Sequence, residues 1–202
     1  MQEKTKVAIF GGSFNPPLNS HINLAKKIIE QNIAGEIIFV PVNSKYNKQG
    51  LISNEHRYNM LKLCCEEGKN LSVSRIEIDS ERQLYTIETL EKIQKNYPEK
   101  EIIYVLGTDN LKSLDKWKDV QTLLSKFKIV VIQRNNDNID QIILENLILV
   151  KYKEAFIQMG NEDYRNFSST DARDLIGQGK EYKEFVSDKT YKYIKTNKLY
   201  TK

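Results

Sequence analysis

Gly11-Gly12-Ser13-Phe14-Asn15-Pro16-Pro17 runs without interruption, and His21 follows four positions after the second proline. Two adjacent glycines let a ligand approach the backbone closely and open positive φ angles to the chain. Amides in such a loop, with those at the start of a following helix, can cradle phosphate oxygens. Ser13 and Asn15 add side-chain hydrogen-bonding groups. An imidazolium at His21 can contact a polyphosphate and stabilise charge that builds on it during group transfer. A plain strand-to-helix turn with a surface histidine is the competing account of the same residues. The heptad lacks the Gly-Lys-Ser/Thr ending of one common phosphate loop and the three spaced glycines of the other.

Further along, Ser168, Ser169 and Thr170 form a hydroxyl cluster at a helix start, where free amides and the helix dipole favour an anion. Arg173, within one turn, can present its fork to phosphate, or the group can be an ordinary cap with a solvated arginine. Asp109 follows a strand end and can receive ribose hydroxyls or cap the next helix. Trp117, the sole tryptophan, can stack on a flat ring or pack in the core. Lys48 lies in a polar loop where a lysine can meet phosphate or water. His56 is the only other histidine, so a Ser-His-Asp hydrolase and a histidine-rich zinc site both drop out. Cys64 and Cys65 are adjacent and lack zinc spacing; they read as inert thiols of a reduced, cytoplasmic protein.

Positioning these groups requires strands and helices in alternation. Lys6 to Phe10, Glu36 to Val42, Leu71 to Ile78, Glu101 to Leu106, Phe127 to Ile132 and Leu147 to Tyr152 read as strands. Helical spacing marks 21–31, 53–67, 86–95, 111–124, 169–176 and 188–197. Asn43 to Leu51 reads as a loop, and so does the polar segment Asn135 to Glu145, with mobility expected of it. Apolar strands separated by helices imply a mostly parallel sheet covered on both faces, an α/β three-layer domain. No internal repeat or linker divides the 202 residues, so one domain over 1–202 is expected.

The bulk numbers agree with a folded small-molecule protein. The hydrophobic fraction is 40%, enough for a core, and the net charge of +4 announces neither nucleic acid nor membrane. No apolar run approaches the roughly 20 residues of a membrane helix.

The heptad with His21 resembles the signature of bacterial nicotinate-nucleotide adenylyltransferases, within the HxGH nucleotidyltransferase superfamily. The final four positions read Leu18-Asn19-Ser20-His21, with Leu18 where that pattern has its first histidine and Ser20 where it has glycine. Further matches follow in order. They are Lys48-Gln49-Gly50 with Ser53 and Arg57, Leu84-Tyr85-Thr86 to Leu90, and Leu106-Gly107-Thr108-Asp109 with Lys116-Trp117. Then come Phe167-Ser168-Ser169-Thr170 with Arg173, and a similar tail from Tyr193 to Tyr200. The likeness therefore spans about 190 residues.

The resemblance implies a Rossmann-like α/β/α nucleotidyltransferase fold and adenylyl transfer from ATP to nicotinate mononucleotide. It implies that His21, Arg173 and Lys48 are catalytic. It places ATP on Gly11, Gly12, Ser13, Phe14, Asn15, His21, Gly107, Asp109, Ser169, Thr170 and Arg173. It places the mononucleotide on Ser13, Asn15, Lys48, Tyr85, Thr86 and Trp117. Mg²⁺ is expected to arrive with ATP, in keeping with its habit of retaining waters and phosphates. A homo-oligomer is the base-rate expectation for such an enzyme.

Leucine cannot donate a hydrogen bond to phosphate. Losing one preorganised donor slows such a step by about 10²–10³, so Leu18→His is expected to raise the rate. Two alternatives stay open: a nucleotide-binding protein with little turnover, and nucleotidyl transfer to another phosphorylated acceptor.

Overall fold

The structure, a computed structural model, describes residues 5–45, 50–134, 136–160 and 168–201. β1 (Lys6–Gly12) leads into α1 (Asn19–Glu30), and β2 (Glu36–Pro41) into α2 (Asn54–Cys65). β3 (Leu71–Val73) is short and precedes α3 (Thr86–Asn96). β4 (Glu101–Gly107) is followed by the single turn α4 (Thr108–Leu111) and by α5 (Val120–Lys126). β5 (Lys128–Ile132), α6 (Ile139–Leu144) and β6 (Phe156–Met159) complete the sheet region. α7 (Ser169–Gly177) and α8 (Asp188–Thr196) close the chain.

The strands form one sheet in the order β3-β2-β1-β4-β5-β6, and every neighbouring pair is parallel. Alternate residues of the strands face opposite ways. Val7, Ile9, Ile102 and Ile129 pack with Ile87, Leu90 and Ile93 of α3 and with Val120, Leu123 and Leu124 of α5. Ala8, Phe10, Ile103 and Val130 pack with Ile22, Leu24, Ala25 and Ile28 of α1 and with Leu61 and Cys64 of α2. A sheet covered on both faces has no polar side, which is why the strands read as unbroken apolar runs. A third cluster joins Leu18 and Met60 to Ala172 and Ile176 of α7 and Ile194 of α8. The three-layer α/β architecture expected from the alternation is the one observed.

Four elements differ from the sequence reading. Only Leu71–Val73 of the expected strand from Leu71 to Ile78 pairs with β2. Beyond it the chain turns, because Asn43 Nδ2 draws in the carbonyl oxygens of Glu77 and Ser80 at 3.1 and 2.9 Å. The expected helix from Leu111 to Leu124 is broken into α4, a 3₁₀ turn at Leu114–Lys116 and α5. Asp119 adopts φ 50° at the break, in the left-handed region that cannot continue a helix. The expected strand from Leu147 to Tyr152 is instead a 3₁₀ segment over Leu149–Ala155, and the edge strand comes after it at Phe156–Met159. The polar segment read as a loop contains α6, whose start is capped by Asn138 Oδ1 accepting from the Gln141 amide at 3.0 Å; Asn135 lies outside the described residues.

The pairing register shows where a ligand fits. β1 pairs with β4 from Lys6↔Glu101 to Phe10↔Val105. Beyond that point Gly11 and Gly12 continue beside β2, while Leu106 and Gly107 continue beside β5. The two strands part at their carboxyl ends, at the point where the strand order reverses. Such a crevice is where open parallel sheets bind ligands. Among the described residues, no helix is long and apolar enough to cross a membrane.

The packing has a direct test. Leu90 is fully buried between α3 and the sheet. Leu90→Ala is expected to lower the unfolding free energy by about 2–5 kcal/mol, read as a reduced denaturant midpoint with the slope unchanged.

Candidate active site

The crevice opens into a cleft of about 940 Å³, lined by the β1 loop, the starts of α1, α3 and α7, and the segment after β4. That is near the top of the roughly 300–1,000 Å³ common for small-molecule sites. Gly11, Gly12, Ser13, Phe14, His21, Tyr85, Thr86, Asp109, Trp117, Ser169, Thr170 and Arg173 all line it. Of the remaining residues expected at the site, Asn15 and Gly107 lie behind the lining, and Lys48 lies outside the described residues.

The glycines serve close approach rather than positive φ. A Cβ on Gly11 would sit 2.7 Å from Tyr104 Oη, and one on Gly12 would sit 3.0 Å from the Phe14 ring. The left-handed residue of the loop is Phe14, at φ 45°, and a cis peptide follows at Asn15-Pro16. Phe14 is held in place by edge-on contacts with Phe10 and Phe39, at 5.7 and 5.5 Å.

Asn15 has a different task from the ligand contact expected of it. It is 2% exposed. Its Nδ2 donates to Gly50 O at 2.8 Å, and its Oδ1 accepts from Tyr200 Oη at 2.9 Å. The side chain pins the loop from behind, because a buried amide needs partners and finds them in the protein. Arg57 does the same from α2. It is fully buried and donates to Ser13 O at 3.0 Å, Val42 O at 2.6 Å, Ile52 O at 3.2 Å and Asn54 Oδ1 at 2.7 Å.

His21 stands in the first turn of α1. The Leu18 amide donates to its Nδ1 at 2.9 Å. Nδ1 must therefore carry a lone pair, and a neutral ring then bears its proton on Nε2. Burial between Phe10 and Phe14, with rings at 6.0 and 5.2 Å, and secondarily the Arg134 charge together lower the pKa to about 4. The imidazolium expected from the sequence is thus replaced by a neutral N–H donor. An apolar cage and a nearby guanidinium both disfavour a second positive charge.

Leu18 caps α1 and is 3% exposed, packed in the cluster that binds the closing helices. α7 is stapled to the loop beside it. Ser169 Oγ donates to Pro16 O at 2.9 Å, and Arg173 donates to Asn15 O at 2.8 Å and to Ser169 O at 3.1 Å. Arg173 also donates to Thr170 Oγ1 at 3.1 Å. Two of its five N–H groups have no hydrogen-bond partner among the described residues. The first amides of α7 are partly satisfied already, since Ser168 and Asp171 cap each other.

At the other end of the cleft, the Tyr85 amide at the start of α3 is capped by Glu88 at 2.8 Å. The Arg82 guanidinium and this amide hold the Glu88 carboxyl at a pKa of about 2. Trp117 both packs and lines the cleft; its ring meets Tyr104 edge-on at 6.2 Å. Tyr104 in turn covers Gly11, so the two ends of the cleft are in mechanical contact. Gly107 lies beneath Asp109 and Arg134, which approach to 3.5 Å; a Cβ there would meet Asp109 Oδ1 at 2.4 Å.

The sequence reading missed Glu77, Tyr104, Arg134 and Lys118, all of which line the cleft. Arg134 had a signal, since it follows the carboxyl end of an expected strand. Tyr104 sits inside an apolar run and had none.

The cytidylyltransferase-like family matches residues 9–175 of this chain. The probable nicotinate-nucleotide adenylyltransferase of Clostridium tetani is 31% identical, covering 96% of this chain and 98% of its own length. That of Clostridium acetobutylicum is 35% identical over the same shares. The chain belongs to the nicotinate-nucleotide adenylyltransferase family. In fold, this adenylyltransferase matches the Plasmodium falciparum nicotinic acid mononucleotide adenylyltransferase complexed with NaAD, at a TM-score of 0.82 and 21% identity, with 97% of each chain covered. The same Plasmodium enzyme complexed with APC gives 0.79 at 20% identity, with 98% of each covered.

Burial of Leu18 changes what its replacement does to the adenylyltransferase. Leu18→His places an imidazole in an apolar cluster, at a cost of about 1–3 kcal/mol if it finds no partner. A fall in Tm of roughly 2–10 °C is expected, read by thermal denaturation. Any change in rate is then judged per folded molecule.

Proposed function

We propose that this enzyme transfers the adenylyl group of ATP to nicotinate mononucleotide. The 5′-phosphate oxygen of the mononucleotide attacks the α-phosphorus of ATP in line. The new P–O bond forms as the bond to the β-phosphate oxygen breaks, and pyrophosphate leaves with the dinucleotide as product. What supports the reading is a single cleft that brings His21, Ser169 and Arg173 together with Thr86 and Trp117 at the point where β1 and β4 part.

In this reading His21 Nε2–H, the β1 loop amides and the N–H groups of Arg173 that are unpaired among the described residues hold the triphosphate. Their contribution is position and charge, since phosphoryl-type transfer needs little covalent help from the protein. Thr86 at the α3 start and the Trp117 ring take the pyridine end, with Lys48 near its phosphate. Asp109 and Gly107 border the ATP half. Mg²⁺ enters as part of the MgATP substrate. The acidic groups lining the cleft are Glu77 and Asp109, and no trio of His, Cys, Asp or Glu among the described residues is placed to cage a metal.

The test mixes purified protein, MgATP and nicotinate mononucleotide and follows pyrophosphate and dinucleotide together. Equal amounts of both are expected. Binding of both nucleotides without product would overturn the proposal. His21→Ala is expected to lower kcat by about 10²–10³, with the fold retained by circular dichroism.

A further inference from the structure

After α8 the backbone doubles back. The helix stops at Thr196, and Lys198 turns the chain at φ 50°, in the left-handed position that glycine more often holds. The Lys198 amide donates to Lys195 O at 3.2 Å and the Leu199 amide to Ile194 O at 3.0 Å, which closes the helix end. Leu199 is thereby driven into the third cluster, and Tyr200, left-handed again at φ 63°, is brought to the β1 loop. Residues other than glycine keep such angles only where contacts hold them.

The contact here is specific. Tyr200 Oη donates to Asn15 Oδ1 at 2.9 Å, across 185 positions of sequence. Gly50 O can only accept, so it must face Asn15 Nδ2, at 2.8 Å, and Oδ1 is left to take the phenol. Burial pushes the phenol pKa up, against the pull of the Arg173 and Arg57 charges, so Oη keeps its proton to donate. The other side chains on the loop carbonyls fall into two kinds. Ser169 reaches Pro16 O and Arg173 reaches Asn15 O, yet both line the cleft, where a triphosphate competes for their donors. Arg57 reaches Ser13 O from outside the lining, and Asn15 and Tyr200 stand outside it too.

We propose that Tyr200 is a positioning residue for adenylyl transfer: acting through Asn15, its hydroxyl keeps the β1 loop in its catalytic shape while Ser169 and Arg173 turn to the triphosphate. The bond draws on no group that the ligand recruits, so it stays in place through the reaction. A loop without it still meets ATP through many contacts, but its donors no longer match the charge that develops during transfer. The inference rests on the reading of this cleft as an adenylyl-transfer site.

The experiment compares the wild type, Tyr200→Phe and Ile194→Val with MgATP and nicotinate mononucleotide. Phenylalanine keeps the ring packed on the third cluster and removes only Oη. Ile194 is 1% exposed in the same cluster, and its valine variant lowers stability without touching the Tyr200 bond. Tyr200→Phe is expected to lower kcat about tenfold, with the KM of each substrate changed less than about threefold, because misplaced donors cost rate before affinity. Ile194→Val is expected to melt at a lower temperature with kcat per folded molecule unchanged. An unchanged kcat in Tyr200→Phe overturns the proposal. So does an equal loss in Ile194→Val, which ties the effect to stability alone. Hydrogen exchange of the amides in 11–18 gives a second reading that needs no turnover. It is expected to quicken in Tyr200→Phe while exchange in α3 stays as in the wild type. If the wild type makes no product, the transferase reading falls, and faster loop exchange keeps Tyr200 as the residue that positions the cleft. Loop exchange equal to that of the wild type removes the assignment, with or without turnover.

Discussion

Past Phe10 the first strand keeps a partner on one side only. Gly11 and Gly12 stay with β2, Leu106 and Gly107 stay with β5, and the sheet opens between them. Parallel pairing demands long crossovers, and those crossovers run in opposite directions from β1 and β4. Their helices therefore leave the carboxyl ends of the two central strands without cover. The cleft follows from that reversal, and α1, α3 and α7 contribute to it because their first turns face the same edge.

An open edge would be a poor binding surface if its loop could move. Here polar groups hidden behind the loop hold it. Asn15 and Arg57 are nearly or fully inaccessible, and each is bonded to backbone oxygens of segments distant in sequence. A buried arginine is costly unless its donors are satisfied, so these bonds cannot be given up cheaply. Tyr200, near the end of the chain, reaches Asn15 from the opposite side. The closing helices are therefore part of the loop's support as well as of its lining.

Electrostatics within the cleft is uneven. Arg134, Arg173, Lys116 and Lys118 bring positive charge to the lining, and His21 stays neutral among them. A neutral donor beside fixed cations suits a site that must hold a polyanion and still release one. Glu77 brings an acid to the same lining, and burial favours its uncharged form.

The alternation of apolar runs with helical spacing was enough to determine the three-layer sheet, because a strand covered on both faces has no choice but to be apolar throughout. The order of the motifs was enough to place Ser169, Thr170 and Arg173 with the distant Gly11-Gly12 loop. What residue order could not decide was the use of each side chain. Asn15 in a glycine-rich loop looks like a ligand contact, yet burial turned it into an anchor. His21 looks like a cation, yet Phe10, Phe14 and Arg134 keep it neutral. Leu18 looks like a missing donor and is also a core residue. The short β3 depended on the contacts of Asn43, which join residues more than thirty positions apart. Charge state, burial and strand limits are set by neighbours in space, and only the folded chain supplies those.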